Sequence, residues 1–188
     1  MTLIIDQDQD APLVERLTVR ITTEDEAWKN FLDDGYGGYK PRRIRYNRPD
    51  MLPLQSLWAS LPATMIQAFL DDKPVGIIGA APWENYALGA GIHVRREYQG
   101  NGISSFLIQR FIEHFSEFTL LINIGNPRVL QGYLRAGFHD VEPYSLPDEL
   151  ADEVYQRSTF PVVAQLQRKP ENRSRASESS VRSMRTVG

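Results

Sequence analysis

Two glycines set one residue apart, in Gln99-Gly100-Asn101-Gly102-Ile103-Ser104, constrain this chain more than any other feature. Before them, Tyr86 to Val94 reads as a strand; after them, Ile103, Phe106, Leu107, Ile108, Phe111, Ile112 and Phe115 recur at helical spacing. A strand must therefore hand over to a core-facing helix through a tight turn, and glycine supplies the backbone freedom for it. The first amides of such a helix have no partner within it and carry the positive end of its dipole, so they suit phosphate oxygens. Two common phosphate loops are excluded. No Gly-Lys-Ser/Thr follows, as a nucleotide-triphosphate loop requires, and no third glycine completes a dinucleotide fingerprint. A pyrophosphate held by backbone amides is the expectation.

The rest of the chain supplies elements around this turn. Polar and apolar residues alternate over Glu15 to Ile21, which predicts a half-buried strand. Thr23-Glu24-Asp25-Glu26 has the form of a capping box and opens a helix through Trp28, Phe31 and Leu32, ending near Asp34-Gly35. Tyr36 to Pro53 is an irregular loop, and a short helix is expected over Leu54 to Ala59. Thr64 to Leu70, the turn Asp71 to Pro74, and Val75 to Ala81 read as a hairpin of buried strands. After the glycine turn and its helix, the apolar run Thr119 to Ile124 predicts a central strand covered on both faces. Asn126 as cap, Pro127 at the first helical position and Gly137 at the end bracket a short helix over Pro127 to Ala136. Strands are expected over Phe138 to Val141 and within Ser158 to Leu166. The order predicts an α/β fold with a mixed, mostly antiparallel central sheet flanked by helices, without the strict alternation of a dinucleotide fold.

Composition narrows the function classes. The 188 residues suit one domain. No apolar run approaches the roughly 20 residues needed to span a bilayer. The N-terminal residues show no secretory signal, so a cytoplasmic location and no membrane partner are expected. The chain has no cysteine, which removes disulfides and a cysteine nucleophile, and its three histidines, His93, His114 and His139, have no metal-ligand spacing. No metal is expected. The net charge of −3 is uneven: residues 168–188 hold six basic and two acidic groups and so carry +4, leaving −7 on the rest. A domain over 1–167 and a Ser/Arg-rich basic tail over 168–188, disordered when free, are the expected organisation. Such a tail could bind a protein or nucleic-acid partner.

The segment Val94-Arg95-Arg96-Glu97-Tyr98-Gln99-Gly100-Asn101-Gly102-Ile103-Ser104 resembles the coenzyme A motif of the GNAT superfamily of N-acetyltransferases, with Ser104 where that motif ends in Gly or Ala. Asn126-Pro127-Arg128 and Tyr133-Leu134-Arg135-Ala136-Gly137-Phe138 are similar to its second signature, so the close resemblance covers roughly Ile92 to Phe138. It implies the acyl-CoA N-acyltransferase fold and an acetyl-CoA-dependent transfer to an amine. It also implies roles. Backbone groups near His93 and Val94 would pair with the pantetheine arm, and the amides of Gln99, Gly100, Asn101, Gly102, Ile103 and Ser104 would hold the pyrophosphate. Asn126 would contact the cofactor, and Tyr133 would stand near the sulfur. A phenol near pKa 10 there can give its proton to a departing thiolate and stabilise it, so Tyr133 is expected to act as the acid.

The incoming amine must also lose a proton, and here the residues leave choices open. The strand before the glycine turn carries no carboxylate, where the family often has one. Glu84, just ahead of that strand, a water, or the imidazole of His93 could act as base. The loop Gly35 to Arg48 interleaves Lys40, Arg42, Arg43, Arg45 and Arg48 with three tyrosines, which favours an acidic small-molecule or protein acceptor, or a nucleic-acid backbone. Two readings follow: an N-acetyltransferase with an amine acceptor of unknown identity, or a non-catalytic component of a larger assembly, such as a virus particle, built on the same fold.

Overall fold

The computed structural model describes residues 12–32, 61–148, 150–151 and 164–171. The basic loop, the expected short helix at Leu54 to Ala59, the expected helix end at Asp34-Gly35 and all of the tail beyond residue 171 lie outside them.

Seven strands form one sheet in the order β1-β2-β3-β4-β5-β7-β6: β1 (Thr18–Thr23), β2 (Thr64–Leu70), β3 (Lys73–Trp83), β4 (Tyr86–Val94), β5 (Thr119–Ile124), β6 (His139–Asp140) and β7 (Ala164–Arg168). Every neighbouring pair is antiparallel except β4 and β5, which run parallel. The mixed, mostly antiparallel sheet expected from the sequence is what forms. The chain returns from β4 to β5 through the glycine turn and α2 (Ile103–His114), the helical crossover that a parallel pair requires.

Three helices are seen among the described residues, and they divide between the two faces. On one face α2 and α3 (Pro127–Arg135) close the larger core, in which Ile103, Leu107, Ile108 and Phe111 of α2 meet Ile66, Ile78, Ala80, Ala87, Leu120 and Ile122 of the strands. On the other face α1 (Glu24–Leu32) lays Ala27, Trp28 and Phe31 over Met65, Ile77, Ala81 and Ala90. Trp28 and Phe31 are fully buried, which for each side chain is worth about 1.5–3 kcal/mol. A third cluster, Leu88, Leu121, Leu146 and Leu150, covers the paired ends of β4 and β5. The capping box forms as read: Glu26 N donates to Thr23 Oγ1 at 3.3 Å, and Thr23 N donates to Glu26 Oε2 at 3.4 Å. Gln67 anchors α1 from the sheet, its Nε2 donating to Ala27 O at 3.3 Å while its Oε1 accepts from Asn30 Nδ2.

Two elements differ from the sequence reading. Leu13–Arg16 is a 3-10 turn, so the first strand starts at Thr18 rather than Glu15. Nor is that strand half-buried, since Val19 and Ile21 are 39% and 52% exposed. They pair with Ala68 and Ile66, but β1 is the edge strand and α2 lies over β3 and its neighbours. The last strand, expected within Ser158 to Leu166, runs over Ala164–Arg168, so Arg168, the first residue of the expected tail, pairs with Leu120.

Candidate functional site

The geometry that matters is a divergence between two strands. β4 and β5 pair over three positions, Tyr86 with Thr119, Ala87 with Leu120 and Leu88 with Leu121. From there β4 follows β3 for six more residues, while β5 follows β7. A bulge starts the separation. Gly79 faces Gly91 and Ala80 faces Gly89, so Ala90 is an extra residue that bends β4 where its pairing with β5 ends. The result is a wedge that opens toward Val94 and Ile124, about 20 Å long on the β4 side at 3.3 Å per residue.

Two helices begin at the open end of this wedge, one shortly after each strand. The turn between β4 and α2 is held from within: Gln99 Nε2 donates to Val94 O at 3.0 Å, and Asn101 Nδ2 donates to Tyr98 O at 3.2 Å. Gly100 and Gly102 have φ of +86° and +80°, in the left-handed region where only glycine is at ease. Gly102 is the N-cap of α2 and makes no side-chain cap, and the first turn of α2 contains no acidic residue. α3 likewise has no acidic residue in its first turn, and Asn126 caps it by accepting from Arg128 N at 3.0 Å. The contrast with α1 is direct: Glu24, Asp25 and Glu26 already offset the dipole there. The uncompensated positive ends lie at the mouth of the wedge, where the sequence predicts an anion.

The residues named from the sequence separate into groups. Gln99, Gly100, Asn101, Gly102, Ile103 and Ser104 are brought together at the mouth, with Asn126 at the start of the second helix there. The Gln99 and Asn101 side chains brace the turn. His93 and Val94 are the last residues of β4, and Val94 turns its side chain into the α2 core. His93 turns to the other face, edge-on against Trp28 with ring centroids 5.1 Å apart. Glu84 is not part of this gathering. It sits exposed in the β3–β4 turn with φ +49°, ahead of the paired start of β4, and nine strand residues, roughly 30 Å, separate it from the glycine turn.

Tyr133 lies on α3, 2% exposed, within the larger core. Its ring meets Phe138 edge-on at 5.0 Å, and the chain between them makes a helix stop: Phe138 N donates to Tyr133 O at 3.1 Å and Gly137 N to Leu134 O at 3.1 Å. That is the Schellman arrangement, with Gly137 at φ +85° and its apolar contact supplied by Tyr133 and Phe138. Tyr133 therefore has a structural duty that the sequence reading does not separate from a chemical one. Burial pushes its phenol above the ordinary value near 10, so it stays protonated at neutral pH.

Sequence reasoning missed Arg95. It is 4% exposed, with its guanidinium carbon 5.2 Å from the centre of the Phe31 ring. The available signal was the alternation of β4 carried one residue past its end, where Arg95 N still donates to Val75 O at 2.9 Å and its side chain falls on the His93 face. The two contacts fix α1 against the open limb of β4.

A family model described as the acetyltransferase (GNAT) family matches residues 26–138, more than half of the 188. No curated protein matches the chain in sequence. Among solved structures, the chain is similar to N-acetylglutamate synthase from Neisseria gonorrhoeae complexed with coenzyme A and L-arginine, at 13% identity and TM-score 0.54, over 84% of this chain and 34% of that one. The same synthase complexed with coenzyme A and N-acetyl-glutamate gives 14% identity and TM-score 0.51, over 82% and 35%. The ribosomal-protein-S18-alanine N-acetyltransferase from Escherichia coli gives 13% identity and TM-score 0.49, over 67% and 79%. At these identities the likeness is one of fold, and the chain spans about a third of the length of the synthase.

Proposed function

The chain belongs to the GNAT acetyltransferase family, and from that premise we propose that it transfers the acetyl group of acetyl-CoA to an amine. The observation that carries this reading is the wedge between β4 and β5 with the uncompensated N-termini of α2 and α3 at its mouth. A coenzyme made of a pyrophosphate and an extended, amide-bearing arm matches that shape. The amides from Gln99 to Ser104 hold the phosphates, and the uncapped start of α2 leaves its first N–H groups to do so. The arm runs inward along His93 and Val94 as an added strand would, and Asn126 borders it from the second helix.

The chemistry divides between the two faces of the sheet. Tyr133 approaches the thioester from the α2–α3 side. A phenol raised by burial is a weaker acid than a thiol, whose ordinary value is about 8.5, so Tyr133 does not hand its proton over. It donates a hydrogen bond to the sulfur as negative charge develops there, which stabilises the leaving group. The acceptor comes from the α1 side, which Trp28, His93 and Arg95 line. Glu84 is left out of this scheme by its place at the far end of β4.

Thermal unfolding with and without acetyl-CoA tests the proposal. Ligand at about a hundred times its dissociation constant should add about 2.7 kcal/mol of stability, and an unmoved midpoint would sink the reading. Thiol release against a panel of amines then separates an enzyme from a non-catalytic member of the family, which would bind and not turn over.

A further inference from the structure

The face of the wedge opposite Tyr133 needs a group that can take a proton, and we propose that His93 is the catalytic base. The inference rests on the acetyl-CoA reading above and concerns one residue within it. Three observations converge on this imidazole. It is carried by the open limb of β4, beyond the last β4–β5 pair, so it stands beside the wedge rather than beneath the closed sheet. Its side chain is on the α1 face, opposite the core that holds Tyr133, so an acetyl group in the wedge is flanked by the two. Trp28 meets its ring edge-on at 5.1 Å and limits its rotation, while the residue is only half-buried.

Competing groups are few on the described strands. β4 and β5 hold no Asp or Glu between Tyr86 and Val94 or between Thr119 and Ile124. β3 presents the apolar Ile77 as the cross-strand partner of His93. Among the described residues the charged group beside this ring on the same face is Arg95, just past the end of β4, while the first turn of α1 carries Glu24, Asp25 and Glu26.

The step balances without any further reactant. The acceptor nitrogen, or a water in its place, attacks the thioester carbon as His93 removes its proton. The carbon–sulfur bond breaks, the electron pair leaves on sulfur under the Tyr133 hydrogen bond, and the thiolate takes a proton from solvent. The imidazolium then returns its proton to solvent, so one acyl bond is exchanged for another.

Water is an acceptor that needs no identification, so acetyl-CoA hydrolysis is the probe. His114 and His139 are exposed and remote from the wedge, and the His114→Gln, His139→Gln variant makes His93 the sole imidazole. In that background the hydrolysis rate should rise about tenfold per pH unit up to a plateau, with a midpoint that coincides with the His93 titration followed by proton NMR. His93→Phe, which keeps a ring against Trp28, and His93→Gln should lower the plateau about 100-fold and abolish the limb, while the acetyl-CoA thermal shift remains. Wild-type hydrolysis carried unchanged by both variants would overturn the proposal. So would a kinetic midpoint away from the NMR titration, or coenzyme binding with no hydrolysis between pH 5 and 8. Absence of coenzyme binding by the wild-type chain is a different result and would remove the acetyl-CoA reading together with this one.

Discussion

A methyl group added at Gly100 would meet nothing within 4 Å, and at Gly102 only Val14 Cγ2 at 3.4 Å. Space is therefore not what demands glycine in the turn; backbone conformation is. With φ of +86° and +80°, Gly100→Ala and Gly102→Ala should each cost about 1–2 kcal/mol, and Gly100→Asn should cost less because asparagine tolerates the left-handed region. Urea unfolding reads the difference. Tyr133→Phe separates that residue's two duties. The ring contact with Phe138 at 5.0 Å survives, so stability should change by no more than about 1 kcal/mol. Thiol release should fall about 10- to 100-fold, the worth of a hydrogen bond to a charged partner, with the affinity for acetyl-CoA kept. Equal turnover by the two proteins would leave Tyr133 with its helix-stop role alone.

Helix ends carry much of the site's geometry. Asn126 caps α3 through Arg128 N, and Asn126→Ala should cost about 1 kcal/mol by urea unfolding and loosen the second helix at the wedge mouth. The start of α1 gives a pH dependence. The Thr22 hydroxyl first, then the backbone N–H and the hydroxyl of Thr23, hold the Glu26 carboxyl below its usual 4.5. The folded state therefore binds this proton less readily than the unfolded chain. Its contribution is complete above pH 4.5 and fades as pH falls through the lower folded value. Unfolding midpoints measured from pH 7 down to pH 2 should show an acid limb that is shallower in Glu26→Gln, and identical limbs would contradict the assignment.

Across the whole molecule, burial is uneven, and the response to substitution should follow it. Phe111 is fully buried at the centre of the α2 core, so Phe111→Ala should cost about 3–5 kcal/mol. Ile21, 52% exposed on the edge strand, should accept lysine within about 0.5 kcal/mol, and the charge should reduce association through that edge at high concentration. Urea unfolding of both variants and light scattering of Ile21→Lys against the unaltered chain check these values. A large loss for Ile21→Lys would mean that β1 is covered in solution.

Local chemistry is legible in the order of residues alone. Thr23 and Glu26, the glycine turn, Asn126-Pro127 and Gly137 each mark an element end through bonds made within a few residues, and β4, β5 and the start of α2 lie where those signals put them. The alternation from Glu15 to Ile21 misleads because it reports which side chains could be buried, and an edge position leaves Val19 and Ile21 without a cover. Glu84 is near the site in sequence only; a nine-residue strand carries it to the opposite end of the sheet. The glycine turn can be read from the order of residues because its backbone conformation and the helix it opens are set locally. Which faces flank the wedge cannot, because that depends on a bulge at Ala90 and on the point where β5 leaves β4, and both arise from pairing between segments distant in the chain. Long-range pairing sets Tyr133 and His93 on opposite faces of the sheet.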